Sequence, residues 1–264
     1  MPELTGLEPA ATQDELGLIL RGIGENVEGF FRHLPNTSSR EEIRGEILGR
    51  NGKASSTYEE RFQYLLVLRP EDPPSQLREY RTAEEAANGP FDVLQRGFMR
   101  TSGFAVTSAH FHPLYRSSAR FRLLGRQSLE GRPTVVVAFA QRPESAKITG
   151  TLDVSGKSVA VLFQGIAWAD AETHQILRLR SDLLKPPPQS RLQRETTEIL
   201  FGEVHFKDAA AVMWLPHEVS VTVEWKRKVF RNWHRYSDFK VFKVQAIEKR
   251  KAAGQTSSRP SGVK

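Results

Sequence analysis

The chain has 264 residues, of which 39% are hydrophobic and 26% are charged, and it contains no cysteine. These fractions are typical of a folded globular chain, and the lack of thiols excludes disulfide bonds, thiol catalysis and zinc sites built on cysteine. The net charge is +7, but residues 249–264 hold five basic residues and no acidic one. The rest of the chain is therefore close to neutral, and the net charge does not by itself indicate a nucleic-acid partner.

The first half of the sequence predicts a helix, a hairpin and a partly helical insertion. Residues 40–48 and 58–69 are predicted strands on either side of Asn51-Gly52, a strong hairpin turn signal. Residues 71–90 are expected to form a surface loop, and residues 91–99 and 104–115 two short helices. Residues 13–34 carry apolar side chains at helical spacings of three and four: Leu16, Ile19, Leu20, Ile23, Val27, Phe30, Phe31 and Leu34.

From residue 120 onward the sequence predicts strands almost without interruption. Residues 159–169 are apolar at both alternating sets of positions, as in a central strand that is covered on two sides. Residues 177–183 alternate strictly between apolar and polar, as in a strand with one buried face. The other predicted strands are residues 121–128, 133–142, 146–154, 194–206, 215–228 and 230–244.

The expected fold class is α+β, with a large curved antiparallel sheet that forms an unclosed β-barrel and helices that cover its concave face. Residues 1–12 are expected to be a flexible N-terminus, residues 13–245 a single half-barrel domain, and residues 246–264 a disordered basic tail. No apolar run approaches ~18 residues, so no integral membrane segment is predicted. The first residues lack the pattern of a signal peptide, which predicts a cytoplasmic location if this start is the true one.

No motif indicates catalysis, so we expect neither an enzyme nor a cofactor. The sequence has no phosphate-binding loop, no dinucleotide fingerprint and no nucleophile elbow. His110 and His112 would need a third ligand to hold a metal ion, and no acidic or histidine cluster lies near them in the sequence. A structural role is favoured for both histidines, and no metal site is expected.

Residues 225–236 interleave four aromatic and five basic side chains. Such a pattern can hold single-stranded nucleic acid by stacking and charge, and a basic rim can also contact anionic lipid head groups. The same spacing is expected of a basic hairpin tip whose aromatic residues enter the core, and this interpretation is favoured. A protein- or nucleic-acid-interaction module that uses a sheet edge or this hairpin remains the alternative function.

Several predicted strands are apolar on both faces. Either helices cover the second face as ordinary core, or the sheet lines a pocket for an acyl chain or another apolar ligand. Ten inward positions are candidate ligand-binding residues, each of which could also be plain core: Phe62, Tyr64, Leu66, Val137, Phe139, Trp168, Leu177, Leu179, Val221 and Trp225.

The order of the elements resembles the LolA-like superfamily of bacterial outer-membrane lipoprotein carrier and sorting proteins. The resemblance is carried by Phe30-Phe31 of the leading helix, GIAWADAETHQILRL at residues 165–179, the run at residues 200–221 and the closing strand at residues 231–244. It implies a non-enzymatic periplasmic protein that shields an apolar or acylated ligand, typically a lipoprotein, with the helices as a movable lid. A protein partner would also fit this interpretation, whereas nucleic acid is not expected.

Overall fold

The computed structural model describes residues 2–49, 51–69, 77–83, 103–154, 157–188, 190–206 and 212–242. Within these ranges it contains the helix α1 (Leu16–His33), short 3-10 helices at Pro2–Leu4, Thr107–Phe111 and Arg116–Ser118, and thirteen strands. The strands are β1 (Glu8–Pro9), β2 (Thr37–Leu48), β3 (Ala54–Leu68), β4 (Leu77–Ala83), β5 (Ala119–Leu129), β6 (Arg132–Gln141), β7 (Gly150–Val154), β8 (Lys157–Val161), β9 (Phe163–Asp170), β10 (Ile176–Leu183), β11 (Leu192–His205), β12 (Val212–Trp225) and β13 (Lys228–Val241).

Eleven of these strands form one antiparallel sheet in the order β1-β5-β6-β9-β10-β11-β12-β13-β2-β3-β4, and β7 and β8 form a separate hairpin. β1 and β4 are the two ends of the large sheet and do not pair with each other, so the sheet is open. The predicted fold class, an unclosed antiparallel sheet with helical cover, is confirmed. The pairing of β2 with β13 joins the N-terminal hairpin to the last strand.

Helix α1 covers one face of the sheet, which we call the inner face. Its apolar stripe buries Ile19, Ile23, Val27 and Phe31, each at most 4% exposed. The helix ends at His33 because Leu34 is extended and the following Pro35 disfavours helical geometry at Leu34. Four glycines within the helix lower its intrinsic stability by roughly 1 kcal/mol each relative to alanine, so α1 depends on this packing.

Strict alternation along the strands separates the inner face from the outer face. In β12, Val219, Val221 and Val223 are buried in the main core on the inner face, while Glu218 and Ser220 point to the outer face. This pattern is the one that the sequence predicts for β12. The Thr107–Phe111 turn packs on the same inner core through Ala109 and Phe111.

A buried polar cluster on the inner face joins β2, β13 and β4. The carboxylate of Glu41 is fully buried and accepts hydrogen bonds from His234 Nδ1 (2.8 Å), Tyr236 Oη (2.8 Å) and Arg81 Nη2 (2.8 Å). Arg81 also contacts the second carboxylate oxygen through Nε. Because each polar group has a partner, the cluster is a fixed part of the core.

A second charged side chain of β4, Glu79, holds the backbone that precedes the Thr107–Phe111 turn. Glu79 accepts hydrogen bonds from the backbone N–H groups of Gly103 (2.8 Å) and Ala105 (3.2 Å). Residues 77–83 pair with β3 as a strand, where the sequence analysis expected a loop. Their inward side chains include Leu77, Glu79 and Arg81, and the two charged residues interrupt the apolar alternation that would have indicated a strand. Residues 104–115 were expected to form a helix and contain a short 3-10 helix at Thr107–Phe111. Pro113 disfavours a longer helix because it has no backbone N–H to donate.

Two further differences concern the ends of predicted segments. Residues 159–169 do not form one strand, because the chain leaves the small hairpin at Val161 and enters the large sheet at Phe163. The predicted helix at residues 91–99 and the predicted tail at residues 246–264 lie outside the described residues.

The N-terminal segment lies against the sheet, where the sequence analysis expected flexibility. β1 pairs with β5 through Glu8↔Arg126 and Pro9↔Gly125, and the side-chain amide of Gln13 exchanges two hydrogen bonds with the backbone of Leu123 (2.8 and 2.9 Å). Gly125 has φ +151°, and a Cβ there would collide with the Glu8 carbonyl. The close crossing of β1 over β5 therefore requires glycine at this position.

Candidate functional site

A cleft of about 470 Å³ lies between α1 and the inner face of the sheet at the ends of β10, β11 and β12. Its apolar wall consists of Val27, Phe30, Ile176, Phe201, Val212, Met213 and Trp214. Its polar side chains are Glu25, Asn26, His33, Ser108, Arg132, Thr173, Gln175 and Glu203. An apolar wall with a few polar groups is the usual composition of a small-ligand site.

The helix contributes one of its edges to this cleft. Asn26, Phe30 and His33 are spaced by four and three residues, so they share one face of α1. Phe30 contacts Phe31 edge to face with ring centroids 5.2 Å apart. Phe31 is buried in the core, whereas Phe30 is only partly buried. The Phe30-Phe31 pair therefore spans from the core to the cleft wall.

The sheet side of the cleft depends on an irregularity in the pairing of β11 with β12. The register shifts between Leu200 and Phe201, and beyond this bulge Phe201, Met213 and Trp214 all line the cleft. A bulge places two residues of one strand opposite one residue of its neighbour, which redirects side chains. Val212 at the start of β12 is 44% exposed, so the apolar wall is open to solvent at this end.

Arg132 lies at the boundary between the cleft and the β9–β10 turn. Its guanidinium pairs with Asp170 (2.9 Å) and lies over the Trp214 ring, 5.5 Å from the centroid. Burial would raise the pKa of Asp170, but backbone N–H groups of Thr173 and Glu172, together with Arg132, hold this pKa below its ordinary value. The carboxylate therefore fixes both the turn and the cation at the cleft.

Two contacts hold the middle of α1 to the same turn. Asn26 Nδ2 donates to the Thr173 carbonyl oxygen (2.8 Å). The His174 ring packs on Gly22 so closely that a Cβ on Gly22 would lie 2.7 Å from His174 Cγ. His174 itself has φ 58°, a conformation that few non-glycine residues adopt. These two contacts join α1 to the β9–β10 turn beside the cleft.

The cleft residues do not form a catalytic constellation. The cleft lining includes Ser108, His33 and Glu25, but no hydrogen bond joins these three side chains, so they do not form the connected arrangement of a catalytic triad. Among the described residues, no group of three or more His, Cys, Asp or Glu side chains is placed to hold a metal ion. Nor does any helix in the described ranges have the length and apolar character needed to cross a membrane.

The ten predicted lining residues lie outside the cleft wall. Tyr64, Leu66, Val137, Phe139, Leu179 and Val221 are buried in the main core on the inner face, and Trp225 packs against it. Phe62 belongs to a smaller cluster with Ile43 and Tyr58. Leu177 is buried at a bulge in β10, where Ile176 takes the place next to the cleft. In this structure the inward positions among them are part of the core.

The structure corrects the expected position of Trp168, which lies on the outer face. Ala167 and Ala169 face the main core, so Trp168 between them points the other way. Its ring is fully buried under Leu4 and Leu7 of the N-terminal segment, and its Nε1 donates to Gln127 Oε1 (2.8 Å). The sequence of residues 159–169 is apolar at both alternating sets of positions. It therefore could not show which set faces α1, and Trp168 was assigned to the wrong face.

The basic hairpin at residues 225–236 does not present a common aromatic surface. Phe230 and Tyr236 belong to the inner core, and Trp225 packs against it. Trp233 lies on the outer face and is 38% exposed. A stacking platform for single-stranded nucleic acid needs several aromatic faces along one groove, which this arrangement does not provide.

His110 and His112 are held by packing and local hydrogen bonds. The His110 ring stacks on Phe139 with centroids 5.0 Å apart, and burial lowers its pKa to about 4. His112 Nδ1 accepts a hydrogen bond from the Leu114 backbone N–H (3.2 Å). Both side chains contribute to the region that connects α1 with the sheet, in keeping with the structural role that the sequence favours.

The fold and the cleft define an open half-barrel of the α+β class with a helix over one face. No protein-family model matches the chain, and no curated protein matches it. Several solved structures are similar to the chain, and three of them are described here. One is a LolA superfamily protein from Nitrosomonas europaea, with 12% identity, TM-score 0.38, 86% of this chain and 94% of that chain covered.

The second is a domain described as an outer membrane lipoprotein-sorting protein from Vibrio parahaemolyticus, with 14% identity, TM-score 0.40, and 84% and 91% covered. The third is a DUF1329 family protein from Desulfovibrio piger, with 13% identity, TM-score 0.39, and 84% and 92% covered. The descriptions of the first two structures name the superfamily that the order of elements in this sequence resembles. TM-scores between 0.38 and 0.40 carry no argument about a ligand, so a function depends on this chain's own residues.

Proposed function

We propose that this chain is a non-enzymatic, periplasmic binding protein of the lipoprotein-carrier kind, which holds an apolar or acylated ligand between α1 and the inner face of the sheet. The observation that supports the proposal is the cleft with its apolar wall and polar rim. Its volume of about 470 Å³ lies within the range of roughly 300–1,000 Å³ that is usual for small-ligand sites. Such a site suits an amphiphile whose chain enters the cleft and whose head group stays at the rim.

The proposed mechanism is a movement of α1 away from the sheet. The contacts of Asn26 with Thr173 and of Gly22 with His174 hold the helix to the β9–β10 turn. Release of these contacts would extend the cleft toward the deeper inward positions, such as Leu179 and Val221, and make them ligand-binding residues. The acyl chain of a lipoprotein would then exchange one shielded environment for another, without chemistry.

Binding of a fluorescent palmitoyl analogue to the purified full chain tests the site. Val212→Asp places a carboxylate in the exposed end of the apolar wall. Leu114→Asp is the matched control, because Leu114 is 56% exposed and does not line the cleft. An uncompensated polar group against an acyl chain costs about 1–3 kcal/mol, and a charge costs more. We therefore expect Val212→Asp to weaken binding by about tenfold or more and Leu114→Asp to leave it unchanged. Equal affinities of both variants, or no binding by the parent chain, would contradict the proposal.

A reversible cross-link tests the movement of the helix. The chain has no cysteine, so Gly22→Cys/His174→Cys introduces a single thiol pair. The two Cβ positions are 3.0 Å apart, slightly closer than the ~3.8 Å mean of disulfides. We expect the oxidised form to take up the palmitoyl analogue more slowly than the same protein after reduction. Equal uptake rates before and after reduction would show that α1 does not move.

A further inference from the structure

The N-terminal segment crosses the outer face of the sheet, opposite to the cleft, and we call residues 2–10 the strap. Its side chains Leu4 and Leu7 pack on a buried apolar strip of the sheet, which consists of Val136, Ile166 and Trp168. No residue of the strap is itself buried, whereas the three residues of the apolar strip are at most 7% exposed. The strap therefore covers a surface that is more deeply buried than the strap itself.

The sheet holds the strap in the way that a binding site holds a peptide. Gln127 Nε2 donates to the backbone carbonyl oxygens of Glu3 (3.1 Å) and Thr5 (2.8 Å). The Arg180 guanidinium donates to Glu3 Oε1. β1 adds two register pairs with the edge of β5. An extended segment that is bound by a sheet edge and by side chains of the sheet is typical of peptide recognition by strand addition.

The strap does not satisfy all of the groups that it buries. Oε2 of Glu3 is buried and has no hydrogen-bond partner among the described residues. Segments with few buried side chains and few backbone hydrogen bonds open locally while the rest of a protein stays folded. The strap has no buried residue and only two register pairs with β5. Local opening of the strap would uncover the apolar strip and Arg180.

Beside the strap, the outer face has a trough of about 390 Å³, which we call the outer trough. No residue of the strap lines it. Arg120 and Arg122, both exposed, border it on the β5 side. Ile166 belongs both to its floor and to the apolar strip, so the two surfaces are continuous. The floor consists of Ala138, Ala140, Gln164 and Ile166.

Arginines outnumber carboxylates on this part of the outer face when the strap is open. Arg120 and Arg122 have no carboxylate partner among the described residues. Two further arginines are each paired with one carboxylate, Arg180 with Asp182 (2.9 Å) and Arg178 with Glu198 (2.7 Å). Four arginines thus face two carboxylates here. Complementary charge favours an acidic partner and disfavours a basic one.

We propose that the outer face binds an extended acidic segment of a partner polypeptide in place of the strap, and that the strap is an internal competitor. The strap shows the chemistry that this site accepts, which is a glutamate on Arg180 and leucines on the apolar strip. A partner with additional acidic residues also pairs with Arg120 and Arg122, which the strap leaves unpaired. These additional pairs allow a partner to displace the strap.

The strand register sets the spacing of the acidic residues in such a partner. Arg122 and Arg180 lie in one row across β5, β6, β9 and β10. Three strand spacings separate their Cα atoms by about 14 Å. An extended chain covers this distance in about four residues. The partner segment should therefore carry acidic residues about four positions apart, together with leucines that cover the apolar strip.

A fluorescein-labelled peptide tests the proposal by anisotropy with the full chain. The acidic peptide has the sequence of residues 2–10 preceded by four glutamates and is labelled at its C-terminus. The control peptide has four lysines in place of these glutamates. Leu4→Asp/Leu7→Asp weakens the strap and raises the population of the open site. We expect this variant to bind the acidic peptide about tenfold more tightly than the parent chain does, and to bind the lysine peptide more weakly.

Arginine variants connect the binding to the outer trough. In the weakened-strap chain, Arg120→Gln/Arg122→Gln should lower the affinity for the acidic peptide about fivefold, which corresponds to two exposed ion pairs. The matched control is Arg21→Gln/Arg32→Gln, which changes two exposed arginines of α1. This control should leave the affinity unchanged.

A reversible cross-link connects the binding to the opening of the strap. Glu8 and Arg126 are register partners in β1 and β5. Partners in an antiparallel pair have Cα atoms about 4.5–5.5 Å apart, which is within the range of disulfides. We expect oxidised Glu8→Cys/Arg126→Cys to bind the acidic peptide about tenfold more weakly than the same protein after reduction.

Two results would overturn the proposal. One is equal binding of the acidic peptide by the parent chain, the weakened-strap variant and the oxidised protein. The other is absence of binding by both the weakened-strap variant and the reduced Glu8→Cys/Arg126→Cys protein, in which the strap residues that contact the apolar strip are unchanged. Equally tight binding of decaglutamate, which has no leucine, would also overturn it and would assign the outer trough to a polyanion.

Discussion

Replacement of Glu41 by glutamine should strongly destabilise the fold, because it removes the charge at the centre of the buried polar cluster. Glu41 has no exposed side-chain surface, and its partner Arg81 is 11% exposed. In Glu41→Gln the guanidinium of Arg81 stays largely buried and loses the carboxylate that it contacts through both Nε and Nη2. Breaking a buried pair by removal of one partner costs about 3–5 kcal/mol.

The pKa of Glu41 gives a second, independent magnitude. Burial would raise this pKa, but hydrogen bonds from His234 and Arg81 outweigh burial and lower it from 4.5 to about 2. A lowered folded-state pKa stabilises the fold fully above pH 4.5, and this stabilisation is lost as the pH falls from 4.5 to 2. The shift corresponds to about 3 kcal/mol at 1.36 kcal/mol per pKa unit, which agrees with the estimate from the ion pair.

Urea unfolding followed by tryptophan fluorescence at pH 7, 4.5 and 2.5 measures both quantities. We expect Glu41→Gln to lose about 3–5 kcal/mol of unfolding free energy at pH 7, and the difference from the parent to shrink as the pH falls toward 2. Glu42→Gln is the control, because the neighbouring Glu42 is 48% exposed on the outer face and a surface pair contributes about 1 kcal/mol or less. Equal unfolding free energies of the two variants at pH 7 would refute the reasoning.

Two further stability predictions follow from the inner face. Because burial lowers the pKa of His110 from 6.5 to about 4, the unfolded chain binds a proton first as the pH falls, so the parent should lose about 3 kcal/mol between pH 6.5 and 4. His110→Gln should reduce the loss of unfolding free energy over this pH range in urea titrations, while burial of His112 and His234, which also lowers their pKa values, leaves a remainder. An unchanged pH dependence would contradict this prediction. Gly29→Ala, where a Cβ meets no atom within 4 Å, should stabilise α1 by up to about 1 kcal/mol. Gly22→Ala should instead lower the melting temperature because it displaces His174, and a rise in both variants would count against that contact.

The alternation of apolar residues correctly predicted strands such as β12, whose inward side chains pack against other apolar side chains. Val219, Val221 and Val223 lie on the predicted face of β12 because burial of alternate side chains specifies register. β4 was missed since its inward residues include Glu79 and Arg81, whose partners come from distant segments at Glu41, Gly103 and Ala105. Hydropathy cannot reveal a buried charge whose counter-charge is forty residues away.

The cleft was harder to predict than the sheet. Val212, Met213 and Trp214 are consecutive apolar residues, which a single buried face cannot all accommodate. This run was a signal that could have indicated a second apolar surface, but its direction depends on the bulge at Leu200/Phe201, which has no local sequence signature. Trp168 was assigned to the wrong face because only the position of α1 distinguishes the two sides.

The sheet order makes the synthesis of this chain dependent on its final strand. β2 pairs with β13. The hydrogen-bond partner of Glu41, His234, lies 193 residues later in the chain. Among the described strands, β13 is the one that joins β2–β4 to the strands β5, β6 and β9–β12. Non-local pairing of this kind folds slowly. A chain that ends before residue 228 would therefore lack the strand that joins these two groups of strands, and their unpaired edges would favour aggregation.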